Sequence, residues 1–462
     1  MADLAVTTLV LRYADVGVAT YASLRVVRAP ERTVTWTVEE PLLLAALEEL
    51  DAALPEPRGD ESAADAVHRA RNRGGFRDPD AELTLAYRLA VLLVPMEAWK
   101  LVLDCVSDPR PDLFVAPSAR LGRVPWGQLA VPTSAPDFIA LLRASSEAIT
   151  TEGTSAARID WPDARNHTFR ERFRLMELAD VAMAVPANIA AHHSPTGPVE
   201  EERPLLVLDP RVPGQRADGA LGSVLGRPGP DTVLSQHYAP AVAGKATLPV
   251  VAEPVELFRR TDADRRWLAD QLEQRPSRLA FVGHVSAAPE AGGAEGTALH
   301  LACRADLTGY ADPVGDHRPL EVRDLLELGA PIPPRVALLA CASGGDYRFD
   351  EAAGLVAAMV LGGAEVVTAT LWSLPTSAGF RHASPDPAAQ RADGAGDGNL
   401  DLMSDLVVAV DAAHQDPDPG QAVNRWQREQ MRRWREGDSA ANPIYWAAVA
   451  TYRFGAGGTH EQ

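Results

Sequence analysis

The sequence predicts an α/β fold with an open, mostly parallel sheet that has helices on both faces. Residues 336–340 form an unbroken apolar run between a Pro-Pro pair and a Ser-Gly-Gly segment, a pattern typical of a strand buried on both faces. Residues 352–361 are rich in Ala, Leu, Val and Met and predict a helix, and residues 365–371 are a second β-branched run. A further apolar run, residues 278–284, lies upstream and is separated from the first by the helix-like residues 321–330. Strands that alternate with helices in this order build βαβ units, in which the strands are parallel.

A small α+β unit is predicted for residues 1–57. The β-rich residues 6–12, 17–28 and 32–38 are followed by residues 41–53, whose apolar spacing predicts an amphipathic helix. Strands followed by a single helix do not continue the βαβ alternation, so we expect this unit to precede the main sheet.

A first α/β layer is predicted between residues 80 and 250, because helical and strand patterns alternate there. Residues 209–249, rich in Gly, Pro and Asp, predict a surface loop, and the charged residues 58–80 predict a linker with a marginal helix. His192 and His193 have no partners at metal-ligand spacing, which favours a surface loop over a metal site. The predicted elements are helices over residues 82–105 and 139–147 and strands over residues 113–116, 176–185 and 205–208.

Two reactive residue types stand where neighbouring strands of the predicted sheet end. His284 closes the run 278–284, and Cys341 follows the run 336–340, 57 residues later. The carboxyl ends of parallel strands meet at one edge of a sheet, where open α/β folds bind ligands. A histidine beside a cysteine favours the thiolate nucleophile and returns a proton to the leaving group. Each residue alone has a structural explanation, a buried thiol or a histidine bonded to a carbonyl, but their joint position favours a catalytic dyad.

Several segments resemble one known family when their order is taken together. The segment LLACASGG around Cys341, the His-ended strand 57 residues upstream and residues 352–374 are similar to the active-site block of the CHAT family of caspase–separase-like cysteine proteases. In caspases the histidine lies about 50 residues before the cysteine. Residues 113–131, 203–214 and 442–455 resemble that family's early strand-and-turn, middle strand and closing segment.

The resemblance implies a caspase-like sheet in two parts, a degenerate half over residues 80–250 and a catalytic half over residues 260–462. It also implies a cysteine endopeptidase that hydrolyses peptide bonds of a protein substrate, with Cys341 as nucleophile and His284 as general acid and base. No cofactor and no metal take part in such a reaction, so none is expected. Relatives commonly act in prokaryotic defence or signalling, and a separately encoded sensor or regulator is therefore an expected partner.

The backbone around the dyad would supply the oxyanion site. The N–H donors implied by the resemblance belong to Gly283, Val285 and Cys341. The sequence departs from the family here, because His284-Val285 replaces the usual His-Gly pair and Ala342-Ser343 replaces a more polar pair after the cysteine. A β-branched valine restricts the backbone, so we expect less efficient catalysis of the same class. The alternative function that these departures favour is a catalytically weak or inactive CHAT-like scaffold that binds partner proteins.

The resemblance also implies that the substrate adds an extended strand to the enzyme. That strand would lie beside Trp372, Ser373 and Leu374. The acidic charge of the chain slightly favours a basic residue before the cleaved bond.

Composition excludes several partner classes. The 462 residues include 44 Lys and Arg and 63 Asp and Glu, a formal charge of −19. Nucleic acids and anionic membranes require clustered basic residues, so neither is expected as a partner. Cys105, Cys303 and Cys341 are odd in number and widely spaced, which predicts free thiols and a cytoplasmic location. We expect neither a signal peptide nor a transmembrane helix, because no charge-free apolar run reaches about 18 residues.

Two further segments, on either side of the His284 strand, have patterns typical of ordinary secondary structure. Residues 261–274 predict a helix with Thr261 as its N-cap. Residues 298–305 predict a strand whose His300 and Cys303 pack in the core, and half a zinc site is the weaker alternative.

The C-terminal region contains an insertion and two helices. Residues 376–399, rich in Pro, Gly, Ala and Asp, predict a disordered surface insertion, and an activation or gating loop is the functional alternative. Residues 400–414 and 421–435 predict helices. The second of these helices is basic; we interpret it as a packed face with a solvated side rather than a docking site for an acidic partner.

Overall fold

One large sheet runs through the structure, a computed structural model that describes residues 6–454 with several gaps. The residues within that range that are not described are 18, 133–137, 151–152, 162–172, 198, 200, 217–218, 220, 287–295, 343–348 and 385–400. The strands are β1 Thr8–Val16, β2 Ala19–Val26, β3 Ala29–Glu39, β4 Asp112–Ala116, β5 Ile149–Thr150, β6 Gly153–Thr154, β7 Asp180–Ala184, β8 Pro204–Leu208, β9 Arg278–Ser286, β10 Ala298–Leu299, β11 Leu320–Glu321, β12 Arg335–Ala342, β13 Val366–Thr370 and β14 Val449–Arg453. All of these except the β5–β6 hairpin belong to the large sheet.

The strand order divides the sheet into two parallel groups that meet at an antiparallel seam. Strands β8, β9, β12 and β13 pair in parallel on one side of the seam, and β1, β4, β7 and β14 pair in parallel on the other. The seam is the antiparallel pair β13–β14. Antiparallel strands extend both edges, with β10 and β11 at one and β2 and β3 at the other. The predicted α/β class with a large, mostly parallel sheet is confirmed.

Strands from the three predicted units pair with one another in this sheet. The N-terminal β1 pairs with β4, and β8, which we assigned to the first half, pairs with β9 of the second half. The division into residues 1–57, 80–250 and 260–462 therefore remains a prediction, and one continuous sheet joins the three segments.

Helices cover the sheet because its central strands bury both of their faces. Every residue of β8 is buried, as are all but the last residue of β9, and such strands require covering layers on both sides. One hydrophobic core extends from Leu9 to Tyr452. The helices are Glu40–Ala53, Ala63–Asn72, Pro79–Leu93, Met96–Leu103, Phe138–Ala148, Leu175–Leu178, Ala187–Ala190, Val233–Ala243, Arg265–Leu272, Val322–Leu328, Phe349–Leu361, Ser377–His382, Leu402–Ala413, Pro419–Arg435 and Pro443–Trp446.

Several predicted elements differ from the observed ones for local reasons. The helix predicted over residues 82–105 is two helices, because Pro95 lacks the N–H that would continue the first helix. The helix predicted to begin after Thr261 is capped instead by Asp264, whose carboxylate accepts hydrogen bonds from the Arg266 and Trp267 N–H groups at 2.9 Å. Of the strand predicted over residues 298–305, Ala298–Leu299 forms β10, and Arg304 makes an isolated bridge to His317.

The prediction of a surface loop over residues 209–249 is wrong in part. The segment contains the helix Val233–Ala243, capped by Thr232, and buries Val224, Leu234 and Tyr238. The Gly and Pro residues correctly predicted turns, but the apolar residues between them, which are buried, were not predicted to pack in the core.

The predicted insertion at residues 376–399 begins with a helix rather than with disorder. Thr376 caps the helix Ser377–His382 and Phe380 is buried. Residues 385–400 lie outside the described part of the chain, so the predictions for that part are not addressed.

The basic helix Pro419–Arg435 packs against the sheet through Val423, Met431 and Trp434. Its arginines pair with carboxylates of the same chain. The pairs are Arg425–Asp416, Arg428–Asp180, Arg432–Glu429, Arg433–Asp438 and Arg435–Glu177. Because these cations are already paired, the structure supports the packed-helix interpretation rather than an acidic partner.

Within the residues that the structure describes, no helix combines the length and apolar character that crossing a lipid bilayer demands.

Candidate active site

The two candidate catalytic residues lie side by side in the parallel ladder. β9 and β12 are neighbours, and their register pairs Cys341 with His284, Ala340 with Gly283 and Ala342 with Val285. Neighbouring strands lie about 4.8 Å apart, so the two backbones at these positions are adjacent. The expectation that the two strands are parallel neighbours is confirmed, and the register follows from pairing that begins at Arg278 and Arg335.

Gly283 has a packing reason to be a glycine. A Cβ added to this residue would lie 2.8 Å from the ring of Phe281, closer than side chains approach. The glycine before His284 therefore allows the Phe281 ring to pack.

His284 is held in a defined tautomer by the main chain. Its side chain is 5% exposed, and Nε2 lies 3.0 Å from the carbonyl oxygen of Gly222. A carbonyl only accepts hydrogen bonds, so Nε2 carries the hydrogen and Nδ1 carries the lone pair in the neutral ring. The imidazole therefore has a base nitrogen at Nδ1 and an anchored nitrogen at Nε2.

Gly222 is a site residue that sequence reasoning missed. It lies 62 positions before His284, in the segment predicted to be a surface loop. Its contribution is a backbone carbonyl, which any residue could supply, so no side-chain pattern could have indicated it.

A second pair of histidines lies beside His284 on the other flank of β9. The His300 N–H donates to the His284 carbonyl at 3.1 Å, and His300 Nδ1 lies 3.0 Å from His317 Nε2. His317 Nδ1 donates to the Cys303 carbonyl at 2.8 Å. Burial lowers the pKa of His300 to about 3 and also lowers the pKa of His317, so both rings are neutral near pH 7. His300, predicted as a core residue, thus forms part of the dry surroundings of His284.

This pair predicts that the fold loses stability in mild acid. His300 has a pKa of about 3 in the fold against 6.5 in an unfolded chain, so the unfolded state binds more protons between these values. Lowering the pH from 7 to 5 should cost about 2 kcal/mol through His300. Urea unfolding at both pH values measures the loss, and His300→Gln should reduce it. An unchanged pH dependence in His300→Gln would contradict the assignment.

The other two cysteines are unsuited to nucleophilic chemistry. Cys105 and Cys303 are buried free thiols, and burial raises the pKa of each. Raised thiol pKa values disfavour the reactive thiolate. Among the side chains that the structure describes, no three His, Cys, Asp or Glu residues gather where they could hold a metal ion, and His300 points to His317 instead.

The predicted oxyanion donors lie inside the ladder. Val285 is 3% exposed and pairs with Leu299 of β10 and Ala342 of β12. Successive residues of a strand direct their backbone groups to opposite neighbours. The His284 carbonyl accepts from the N–H of His300, the residue directly after β10, so the N–H of Val285 faces β12. Its role in binding an oxyanion remains a prediction and requires the end of this ladder to open.

The predicted substrate-binding segment follows β13 and is buried. Trp372 is 0% exposed, donates from Nε1 to the Ile444 carbonyl at 3.0 Å and stacks on Phe76. The Ser373 N–H donates to the carboxylate of Glu56 at 3.2 Å, and Leu374 is 2% exposed. Strand addition at this segment remains a prediction, and a substrate would compete with Glu56 for the Ser373 N–H.

The two histidines considered for a metal site have ordinary contacts. His192 Nδ1 bonds to the Asn188 carbonyl at 2.8 Å on an exposed turn, and the His193 ring packs on Phe454 with centroids 4.5 Å apart. Both histidines were predicted to lie on the surface. His192 is exposed, as predicted, whereas His193 is half-buried.

A histidine about 50 residues before a cysteine is the spacing of caspase-type cysteine proteases, and here the two residues are in register near the carboxyl ends of parallel strands. The protein belongs to the CHAT-domain family, whose family model matches residues 84–381. The family membership predicted from the sequence is confirmed.

The fold was also compared with solved structures. Two crystal structures of the Saccharomyces cerevisiae separase–securin complex match with a TM-score of 0.40 each and sequence identities of 10% and 11%. Each match covers 97% of this chain and 30% of the matched chain, so the protein spans about 30% of that chain's length. A sequence comparison with curated proteins gave no match.

Proposed function

We propose that this protein is a cysteine endopeptidase of the CHAT type that hydrolyses peptide bonds in a protein substrate. The observation that carries the proposal is the in-register pairing of Cys341 with His284, whose Nε2 is anchored on the Gly222 carbonyl. An anchored Nε2 leaves Nδ1 as the nitrogen that exchanges a proton with the thiol. The catalytic half is residues 260–462, and residues 80–250 are its degenerate counterpart.

In the proposed reaction the Cys341 thiolate attacks the substrate carbonyl and forms a C–S bond. The protonated His284 gives its proton to the leaving amine as the C–N bond breaks, which leaves a thioacyl-enzyme. Neutral His284 then takes a proton from water, which attacks the thioester and releases the acid product and the thiolate. The backbone N–H groups of Gly283, Val285 and Cys341 stabilise the oxyanion in both steps. No cofactor or metal enters this scheme.

The partners follow from the same proposal. The substrate is a protein whose cleaved segment is extended beside Trp372, Ser373 and Leu374. A separately encoded sensor or regulator would expose this segment, within a cytoplasmic defence or signalling system of a prokaryote. The burial of Trp372 and the Glu56 contact at Ser373 support regulated rather than constant activity.

Reaction with a thiol-directed probe tests the proposal. We expect iodoacetamide to label the peptide that contains Cys341 at pH 6 to 7, whereas Cys105 and Cys303, with raised pKa values, serve as internal controls. Incubation of the wild-type protein with a proteome-derived peptide library should then yield cleaved products. Equal labelling of all three cysteines, together with an uncleaved library, would reject the peptidase.

A scaffold that binds partner proteins is the second candidate. It is favoured by the buried ladder at Val285 and by the covered segment Trp372 to Leu374. Selective labelling of Cys341 would count against it, because a scaffold has no need of a reactive thiolate.

A further inference from the structure

The Gly222 carbonyl that anchors His284 accepts a second hydrogen bond. Arg259 Nη1 donates to it at 3.1 Å, while His284 Nε2 lies 3.0 Å away. A carbonyl shared by two donors is fixed in direction as well as in position.

Asp209 contacts both Arg259 and the residues that follow Gly222. It follows β8 directly and its side chain is 1% exposed. Its Oδ1 accepts from Arg259 Nη1 at 3.1 Å, and its Oδ2 accepts from Ser223 Oγ at 2.6 Å and from the Leu225 N–H at 3.4 Å. The Asp209 carboxylate therefore binds the residues that follow Gly222, and it also binds the arginine that donates to the Gly222 carbonyl.

The backbone at both ends of this ion pair is strained and tied to the catalytic strand. Asp209 and Arg259 have φ values of 50° and 51°, in the left-handed region that non-glycine residues seldom occupy. The Asp209 N–H donates to the Val282 carbonyl at 2.6 Å, two residues before His284. The Arg259 N–H donates to the Leu208 carbonyl at 3.2 Å. Such strained backbone persists where surrounding contacts enforce it, and here the hydrogen bonds to the Val282 and Leu208 carbonyls do so.

We propose that Asp209 is a positioning residue for His284, acting through Arg259 and the Gly222 carbonyl. The inference rests on the proposed function, because it assigns to this buried ion pair the role of holding the base of the dyad. The clamp consists of Asp209, Arg259, Ser223 and Gly222. Both charged members act on His284 through the Gly222 carbonyl.

The charge of the Asp209 carboxylate, in addition to its hydrogen bonds, affects the protonated form of His284. The groups beside His284 are Cys341 at its register position on β12, His300 directly after β10, and Arg259 with Asp209 beyond the Gly222 carbonyl. A guanidinium near the ring disfavours the imidazolium, and the adjacent carboxylate offsets that effect. Loss of the carboxylate should therefore make the thiolate–imidazolium pair harder to form.

The test is the pH profile of Cys341 alkylation by iodoacetamide, from pH 5 to pH 9, on the folded full-length protein. Asp209→Asn keeps the shape but turns an NH₂ group toward the Ser223 and Leu225 donors and removes the charge. We expect alkylation at pH 6 to fall on the order of 10- to 100-fold and the profile to move to higher pH. If Asp209→Asn does not fold, Ser223→Ala, which removes one donor to the Asp209 carboxylate and keeps both charges, is measured in its place. We then expect a smaller loss of alkylation at pH 6, and an unchanged profile would overturn the proposal.

Asp411→Asn is the matched control. Asp411 is also a buried carboxylate held by an arginine, with its Oδ1 3.0 Å from Arg278 Nε, but Arg278 begins β9 and lies about 20 Å from His284 along the strand. We expect this variant to lose stability and keep the wild-type alkylation profile. The proposal is overturned if Asp209→Asn, with folding verified, keeps the profile that His284→Ala alters. If His284→Ala itself leaves the profile unchanged, the dyad fails and the clamp fails with it.

Discussion

Replacing His284 with alanine is expected to reduce peptide cleavage by about 10³-fold or more. The substitution removes the group that takes the thiol proton and the group that protonates the leaving amine, which are one imidazole in this site. The loss should equal that of Cys341→Ala, because two residues that act as one unit do not contribute separately. Values of kcat/KM for the three proteins on one cleaved peptide measure the effect.

A buried histidine away from the site provides the control. His414 is 1% exposed, bonds through Nε2 to Thr368 Oγ1 at 2.8 Å and has a pKa lowered to about 4 by burial. His414→Gln should lower the midpoint of unfolding and leave kcat/KM near the wild-type value. Cleavage that survives in both Cys341→Ala and His284→Ala would show that these residues are not the dyad.

The largest effect on stability is expected at the buried ion pair between Glu82 and Arg174. Arg174 Nη2 lies 2.7 Å from Glu82 Oε2, with side chains 2% and 1% exposed. Removing one partner of a buried ion pair costs about 3–5 kcal/mol, because this carboxylate no longer offsets the desolvation of the arginine. Glu82→Ala should therefore shift the urea midpoint strongly downward. The pair joins the helix Pro79–Leu93 to the residue that precedes the helix Leu175–Leu178, so the first α/β layer should open first.

An exposed pair is the comparison for this prediction. Glu429 pairs with Arg432 at the surface of the helix Pro419–Arg435, and both side chains are more than half exposed. Ion pairs in water contribute little to stability, so Glu429→Gln should leave the midpoint unchanged. Similar shifts in the two variants would contradict the argument from burial.

Local patterns carried much of the prediction. The apolar runs ending at His284 and Cys341 indicated two strands buried on both faces, and β9 and β12 are such strands. The helix-like residues between them required a crossover, which makes neighbouring strands parallel and brings their carboxyl ends to one edge. Hydrophobic periodicity and chain direction were sufficient for this result because both are properties of short segments.

Contacts between distant segments could not be predicted in the same way. The cover over Trp372 comes from Phe76 and Ile444, and the Ser373 N–H is occupied by Glu56, 317 positions away. Residues 209–249 were predicted to be a surface loop because their Gly and Pro content is typical of turns. Its buried Leu234, Tyr238 and Val242 recur every four residues, but this helical pattern is short and lies between Gly- and Pro-rich stretches.

By itself, therefore, the sequence determined the class of fold, the family, and the strands on which the cysteine and histidine lie, since each depends on residue types at short spacing. Only the tertiary structure decided how the histidine is held. Its anchor is a backbone carbonyl, and the clamp of Asp209 and Arg259 is assembled from segments 50 positions apart. A carbonyl has no residue type, and an ion pair has no spacing rule, so both become visible only when the packed chain brings them together.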